Sequence, residues 1–302
     1  MADPLKSAVV TGASSGIGRA SALTLDSRGW RVFAGVRRDA DAQALRDLAS
    51  ERLTPLLLDV TSHESVAAAA KTIESMLGSS SGGGGLDGLV NNAGVSLSGP
   101  LEFIPLDDLR QQLEVNVVGQ IAVTQSLLGA LRRGRGRIVF IGSMGGYVSN
   151  PFQGPYSASK YALEALNDSL RRELAGWGIE VSIVQPGSIA TEIWRKGTAQ
   201  ARDSLARLPD EGRTLYGAMG ERMLEAVDQT IGRAIPPEKV ADAVAHALTA
   251  RRPRTRYRVG TDAKLVRALS WLLPDRAMDA FLMRVSGLHR VQREMRRARD
   301  RR

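Results

Sequence analysis

Short apolar runs alternate with amphipathic stretches over the first two-thirds of the chain. "SAVVTG" from Ser7, "WRVFAGV" from Trp30, "TPLLLDV" from Thr54, "LDGLVNNAG" from Leu86, "GRIVFIGS" from Gly136 and "IEVSIVQPG" from Ile179 each read as a strand. Their apolar residues are consecutive rather than alternate, as in strands covered on both faces. The stretches between them have helical spacing. "GRASALTLDSRG" places Ala20, Leu23 and Leu25 on one side and stops at Gly29; "DAQALRDLAS" and "HESVAAAAKTIESML" follow. A long helix is predicted from about Asp107 to Leu131, and another from "GPYSASKYALEAL". Strand–helix alternation of this kind predicts an α/β fold, a doubly wound parallel sheet flanked by helices.

After Thr191 the pattern weakens. Residues 195–232 read as one or two helices inserted after the sixth strand, ahead of the helix "PEKVADAVAHALTA" and a last strand "RYRVG". Phe281, Leu282, Val285, Leu288 and Met295 make a helical stripe near the end. The expected organisation is one domain over 1–262, with 195–232 as a lid-like insertion, and a helical extension over 263–302. "GSSSGGGG", from Gly78 to Gly85, interrupts the alternation only briefly and reads as a surface loop.

The chain has 302 residues, 43% of them apolar and 24% charged, enough for a sizeable core in an ordinary globule. It contains no cysteine, which removes disulfides, thiolate metal sites and a thiol nucleophile. His63, His246 and His289 are widely spread, so no metal site is expected. The start "MADPLKSAVVTG" lacks a secretory leader, and Val115–Leu131 is too interrupted by polar residues to span a bilayer. The expected location is therefore cytoplasmic. Net charge is +9, and the final "RVQREMRRARDRR" holds seven arginines against Glu294 and Asp300. That stretch reads first as a solvated helix end or tail; peripheral contact with an anionic membrane is the alternative. Nucleic acid is not expected, since no recognition module or aromatic interleaving accompanies the arginines.

"TGASSGIG", Thr11 to Gly18, follows the first strand and opens the first helix. Gly12, Gly16 and Gly18 let the backbone approach a pyrophosphate, and the free amides of the helix start attract its charge. The end of the second strand, "FAGVRR", has Arg37 and Arg38 where an acid would accept from a ribose hydroxyl. A guanidinium there suits a 2′-phosphate, which favours NADP, with NAD as the alternative and a solvated basic pair as the plain reading. In "GPYSASKYALEAL", Lys160 falls four residues after Tyr156 and shares its helix face. A cation there should lower the tyrosine pKa toward the range useful for acid/base work.

Seven motifs in order, "TGASSGIG", "LDV", "NNAG", Asn116 in "LEVNVVG", Ser143 in "IGS", "YSASK" and "PGSIATE", resemble the short-chain dehydrogenases/reductases. "PRTRYRVGTDAKLVRALSWLLPDRAMDAFL" is similar to the retinol dehydrogenase and 17β-hydroxysteroid dehydrogenase branch. The resemblance implies a Rossmann-type fold and an NAD(P)-dependent oxidoreductase acting on a hydroxyl or carbonyl of a lipophilic substrate, a steroid, a retinoid or a similar alcohol, ketone or aldehyde. It implies Tyr156 as acid/base, Lys160 as its modulator and ribose contact, Ser143 on the substrate oxygen, and Asn116 holding a water through its backbone. Cofactor contacts carry over to Gly12, Ser14, Ser15, Gly16, Ile17 and Gly18. Asp59 and Val60 would meet the adenine, Asn92, Ala93 and Gly94 the ribose, and Pro186, Gly187, Ile189 and Thr191 the carboxamide. Trp194, Leu215, Tyr216 and Met219 could wall the substrate pocket, or simply pack the insertion. The resemblance also implies a homodimer or homotetramer. A different class, a catalytically silent dinucleotide-binding scaffold or sensor, is disfavoured by the intact Ser143, Tyr156, Lys160 and Asn116 set.

Overall fold

A computed structural model describes residues 5–78 and 84–300, with the side chain of Arg299 left aside. The middle of the Gly/Ser-rich insertion and the last two arginines lie outside the described residues. Seven strands form one all-parallel sheet: β1 (Ser7–Val10), β2 (Arg31–Val36), β3 (Leu53–Leu57), β4 (Gly88–Asn91), β5 (Arg137–Ile141), β6 (Glu180–Pro186) and β7 (Arg256–Val259). Their spatial order is β3-β2-β1-β4-β5-β6-β7. The order reverses between β1 and β4, and it is outside the carboxyl ends of strands at such a switch that α/β sheets leave a crevice.

Helices cover both faces. They are α1 (Gly16–Ser27), α2 (Asp39–Arg46), α3 (His63–Gly78), α4 (Leu106–Leu113), α5 (Gly119–Gly134), α6 (Gly154–Glu173), α7 (Glu192–Ala206), α8 (Asp210–Ile231), α9 (Glu238–Thr249), α10 (Thr261–Leu272), α11 (Asp275–Val285) and α12 (Leu288–Arg299). One core layer joins Val10, Leu25, Val32 and Val244 on the α1 and α9 side; the other joins Phe33, Leu89, Leu127, Phe140 and Leu163 on the α3, α5 and α6 side. Consecutive apolar residues in β1, β4 and β5 supply both layers, which is why these strands lack polar alternation.

The helix expected over Asp107–Leu131 is present and runs without interruption over 106–134, with one π turn at Glu114–Val118 where α4 passes into α5. The π turn falls where Asn116 bonds away from its own helix and where Gly119 lies against Val60; a Cβ on Gly119 would sit 2.7 Å from the Val60 carbonyl oxygen. One expectation needs correcting. The apolar stripe near the end is not one face. Gly287, at φ +75°, separates α11 from α12, so Leu288 is fully buried while Val285 is 68% exposed. The insertion after β6 forms α7 and α8, and α12 packs against α8. No helix among the described residues is long and apolar enough to cross a membrane.

Candidate active site

The turn after β1 is held by its neighbours. Gly12 and Gly16 have φ +64° and +54°, a region glycine enters without strain. A Cβ on Gly12 would stand 2.8 Å from the Ala93 Cα, one on Gly16 3.1 Å from the Thr191 side chain, and one on Gly18 would collide with the Gly12 carbonyl and Asn92. Asn92 Nδ2 donates to the Thr11 and Gly12 carbonyls at 2.8 and 3.1 Å, while the amides of Asn92 and Ala93 donate to Thr11 Oγ1. Thr11 and Asn92 thus tie the glycine turn to the "NNAG" segment. Ser15 is the N-cap of α1, yet no side chain caps its first amides, and no acid occupies its first turn. Those amides, with Ser14 and Ile17 beside them, are left for an anion.

Arg38 is used locally, pairing with Asp41 at 2.8 Å, while neighbouring Arg37 is exposed and has no ion pair among the described residues. Asp59 is half-buried. Its Oδ1 accepts from the Thr61 amide and hydroxyl at 3.0 and 2.8 Å, and these bonds hold its carboxyl below the usual range. Val60 and Ile189 have core side chains, 7% and 2% exposed, which leaves only their backbones to offer a ligand. This glycine cradle, the uncapped helix start and the free guanidinium beyond β2 fit a dinucleotide carrying a 2′-phosphate.

Across the crevice, the loop after Pro186 is fixed on three sides. The Gly187 amide donates to the Val259 carbonyl, Ile235 bridges to Ser188 and Ala190, and the Ser188 amide donates to Asp262 Oδ2 at 2.7 Å. Gly187 is required here, since a side chain would run into the Asp262 carboxylate. Asp262 was not among the residues expected from the sequence. It lies in the branch-like "DAKL" run, and nothing local signals that it reaches back 74 positions to this loop.

Ser143 follows β5 and caps the turn Met144–Gly146: its Oγ accepts from the Gly145 amide at 3.0 Å. The hydroxyl proton is thereby free to point at Tyr156 or a substrate oxygen. Tyr156 and Lys160 sit in the first two turns of α6, and the Lys160 ammonium is 5.6 Å from the Tyr156 ring centroid. Asn116 is fully buried. Its Oδ1 accepts from the Val95 amide at 2.8 Å, and its Nδ2 donates to the Val95 carbonyl and to Ser159 Oγ, each at 3.0 Å. Ser159 in turn donates to the Tyr156 carbonyl at 2.6 Å. Asn116 therefore bolts the π turn to the part of α6 that carries both titratable groups. Gly94 lies beside it, its built Cβ 3.3 Å from Asn116 Oδ1.

The electrostatics differ from the sequence expectation. Burial pushes the Tyr156 phenol up, opposed only by the hydrogen bond from Ser143. Burial also brings Lys160 down to about 8; its Nζ donates to the Ile141 carbonyl at 2.8 Å. The four-residue spacing brings the two side chains together, but it sets Lys160 inside the protein and Tyr156 partly so, and desolvation there disfavours both charged forms.

The insertion after β6 packs on one side of the site. Tyr216 of α8 meets Phe103 and Phe152 edge-on at 5.9 and 6.3 Å and donates to Glu102 at 2.6 Å. Phe152, in the loop leading to Tyr156, has φ +66°, an uncommon conformation for an aromatic residue and one that clusters at functional sites. Trp194 and Met219 are partly buried and Leu215 is 41% exposed.

Comparison with known proteins agrees with this geometry. Residues 6–202 match the family model described as short chain dehydrogenase. The chain is 38% identical over 280 residues to an NADPH-dependent 3-dehydrocapnine reductase of Ornithobacterium rhinotracheale, covering 91% of this chain and 95% of that protein. It is 41% identical over 279 residues to retinol dehydrogenase 5 of Mus musculus, covering 90% and 86%. A crystal structure of a short chain dehydrogenase from Burkholderia cenocepacia, in complex with NADP, superposes with a TM-score of 0.70 at 27% identity over 93% of this chain and 98% of that one. With its motifs, its sheet order and its Ser143–Tyr156–Lys160 cluster, the chain belongs to the short chain dehydrogenase family.

Proposed function

We propose that the chain is an NADP(H)-dependent oxidoreductase that interconverts a hydroxyl and a carbonyl on a lipophilic substrate of the retinoid or steroid kind. The observation that carries this reading is the convergence of Ser143, Tyr156 and Lys160, braced by Asn116, across the crevice from the glycine turn and the unpaired Arg37. Similarity to an NADPH-dependent reductase and to a retinol dehydrogenase supports both the cofactor and the substrate class.

Gly12, Ser14, Ser15, Gly16, Ile17 and Gly18 would hold the pyrophosphate, Arg37 the 2′-phosphate, and Asp59 with the Val60 backbone the adenine. Asn92, Ala93 and Gly94 would line the ribose, and Pro186, Gly187, Ile189 and Thr191 would orient the carboxamide. When bound, the nicotinamide ring supplies or accepts the hydride. Tyr156 delivers a proton to the carbonyl oxygen in reduction and removes it from the hydroxyl in oxidation. Its raised pKa keeps the phenol protonated at neutral pH, which suits reduction. The Ser143 hydroxyl donates to the same oxygen and steadies the charge developing there. Lys160, near its titration midpoint at slightly alkaline pH, supplies a proton store beside Tyr156, and the backbone of Asn116 in the π turn is the attachment point for a water linking it to solvent. Residues 195–232 act as the lid through α7 and α8, with Tyr216 as its clasp.

The same reading includes a homodimer or homotetramer and a peripheral membrane contact through α12, whose Arg290, Arg293, Arg296 and Arg297 are exposed. A spectrophotometric screen of NADPH and NADH against retinoids, steroids and simple aldehydes tests it. NADPH-dependent turnover of an apolar substrate is expected; preference for NADH, or turnover confined to small polar aldehydes, would overturn it.

A further inference from the structure

A second cavity, of about 690 Å³, lies between α6, β7 and α10. The catalytic reading makes no use of it. Arg254, Arg256 and Arg258 alternate along and just before β7, so they emerge on one face, and Arg267 enters from α10. Arg256 is occupied: its fork binds Glu164 at 2.9 Å and Asp168 at 3.0 Å. Arg254, Arg258 and Arg267 have no ion pair among the described residues. Among the described residues Glu164 is the one acid lining the cavity, and Arg256 already pairs with it. Tyr147 adds no negative charge, because burial holds its hydroxyl up at about 12; that hydroxyl donates to the Ala263 carbonyl, and Arg267 stacks on the ring at 5.5 Å.

Gln185 is 2% exposed and its Nε2 donates to Glu164 at 2.7 Å; its Oε1 is closed off from the opening, so the lining offers a ligand its guanidiniums rather than this amide. A ligand that fits brings negative charge for three guanidiniums. A carboxylate has two oxygens and one charge; a phosphoryl group has three oxygens that several forks can share. Planar guanidiniums bind phosphoryl oxygens in pairs, which matches the three free forks.

We propose that this cavity is a binding site for a phosphoryl group, separate from the dinucleotide crevice. Free phosphate and a lipid phosphate headgroup are the two sources of that chemistry. About one turn beyond Arg267 on α10, Trp271 and Leu272 are 79% and 66% exposed.

The test is calorimetric titration of the full chain with inorganic phosphate, at ionic strength held constant with chloride. Saturable binding is expected, weakened about tenfold or more by the double substitution Arg258→Ala/Arg267→Ala and retained in Arg37→Ala, which alters the dinucleotide crevice instead. Arg258→Glu changes an exposed residue alone, so it reads the site even if the double variant folds poorly; it should abolish binding. Wild-type affinity in both cavity variants, or no saturable binding by the wild type, overturns the proposal. Flotation with phosphatidylcholine vesicles, with and without phosphatidylglycerol, separates the sources. Binding that needs phosphatidylglycerol and is lost in the cavity variants identifies a headgroup. Phosphate binding without that vesicle dependence identifies a free phosphate. All variants retain α12, so vesicle binding that its arginines supply is common to every sample; phosphatidylglycerol binding unchanged in the cavity variants belongs to α12 and counts against a headgroup in the cavity.

Discussion

Replacing Lys160 with Met should leave the protein more stable at neutral pH and nearly inactive. Lys160 is 4% exposed, and burial lowers its pKa from 10.5 to about 8. At about 1.4 kcal/mol per pKa unit, that drop means the folded state bears roughly 3 kcal/mol for keeping the ammonium charged at pH 7. Methionine has a similar reach and no charge. It forfeits the Nζ bond to the Ile141 carbonyl, leaving a buried acceptor unmet at a cost of about 1–2 kcal/mol. The balance is a gain of roughly 1–2 kcal/mol at pH 7, a rise in unfolding midpoint on the order of 3 °C. The sign must change with pH. Between about 8 and 10.5 the folded Lys160 is neutral while the unfolded one is still charged, so the unfolded state binds more protons and the wild type gains stability as pH rises. The advantage of Lys160→Met should shrink through this window and then reverse. Thermal unfolding of both proteins at pH 7 and pH 9.5, alongside NADPH-linked turnover, measures it. A variant less stable than the wild type at pH 7, with a difference that does not move with pH, would refute the reasoning.

Three further outcomes follow from the site. Arg37→Ala should raise KM for NADPH by about 10- to 100-fold and leave KM for NADH within about threefold, because only the 2′-phosphate loses its partner; steady-state kinetics with both cofactors reads the ratio. Asp262→Ala frees the Ser188 amide and loosens the loop after Pro186, so KM for NADPH should rise and kcat fall by about tenfold, with Asp262→Asn recovering most of both by keeping an acceptor in place. Asn116→Ala unpins the π turn from Ser159 and orphans the Val95 amide, costing about 2–4 kcal/mol of stability in denaturant unfolding; a cost under about 0.5 kcal/mol would contradict the buried three-bond role.

Much of the fold is legible in the chain because burial on both faces leaves a local trace: β1, β4 and β5 are apolar without alternation, and Gly12, Gly16 and Gly18 mark the turn where backbone must come close. The motif residues are likewise local, so their convergence follows once the strand order is known. What escaped depends on distance or on solvent. The π turn at Glu114–Val118 arises from bonds between Asn116 and residues 21 and 43 positions away. Asp262 belongs to a helix start, and its reach to Ser188 exists only in three dimensions. The Tyr156–Lys160 spacing gave the contact correctly and the pKa direction incorrectly, since helical periodicity carries no information about how deeply α6 sinks both side chains. Arg254, Arg256 and Arg258 alternate plainly in sequence, but what they face becomes visible only when α6 and α10 close the cavity around them.

The central claim, that Tyr156 moves the proton in an NADP(H)-dependent reaction, is tested most directly by Tyr156→Phe. NADPH affinity, followed by fluorescence, and single-turnover hydride transfer, followed by absorbance, should be measured on the same preparation. The account predicts affinity within about threefold of wild type and a transfer rate lower by about 1,000-fold. Transfer within about tenfold of the wild-type rate would contradict it.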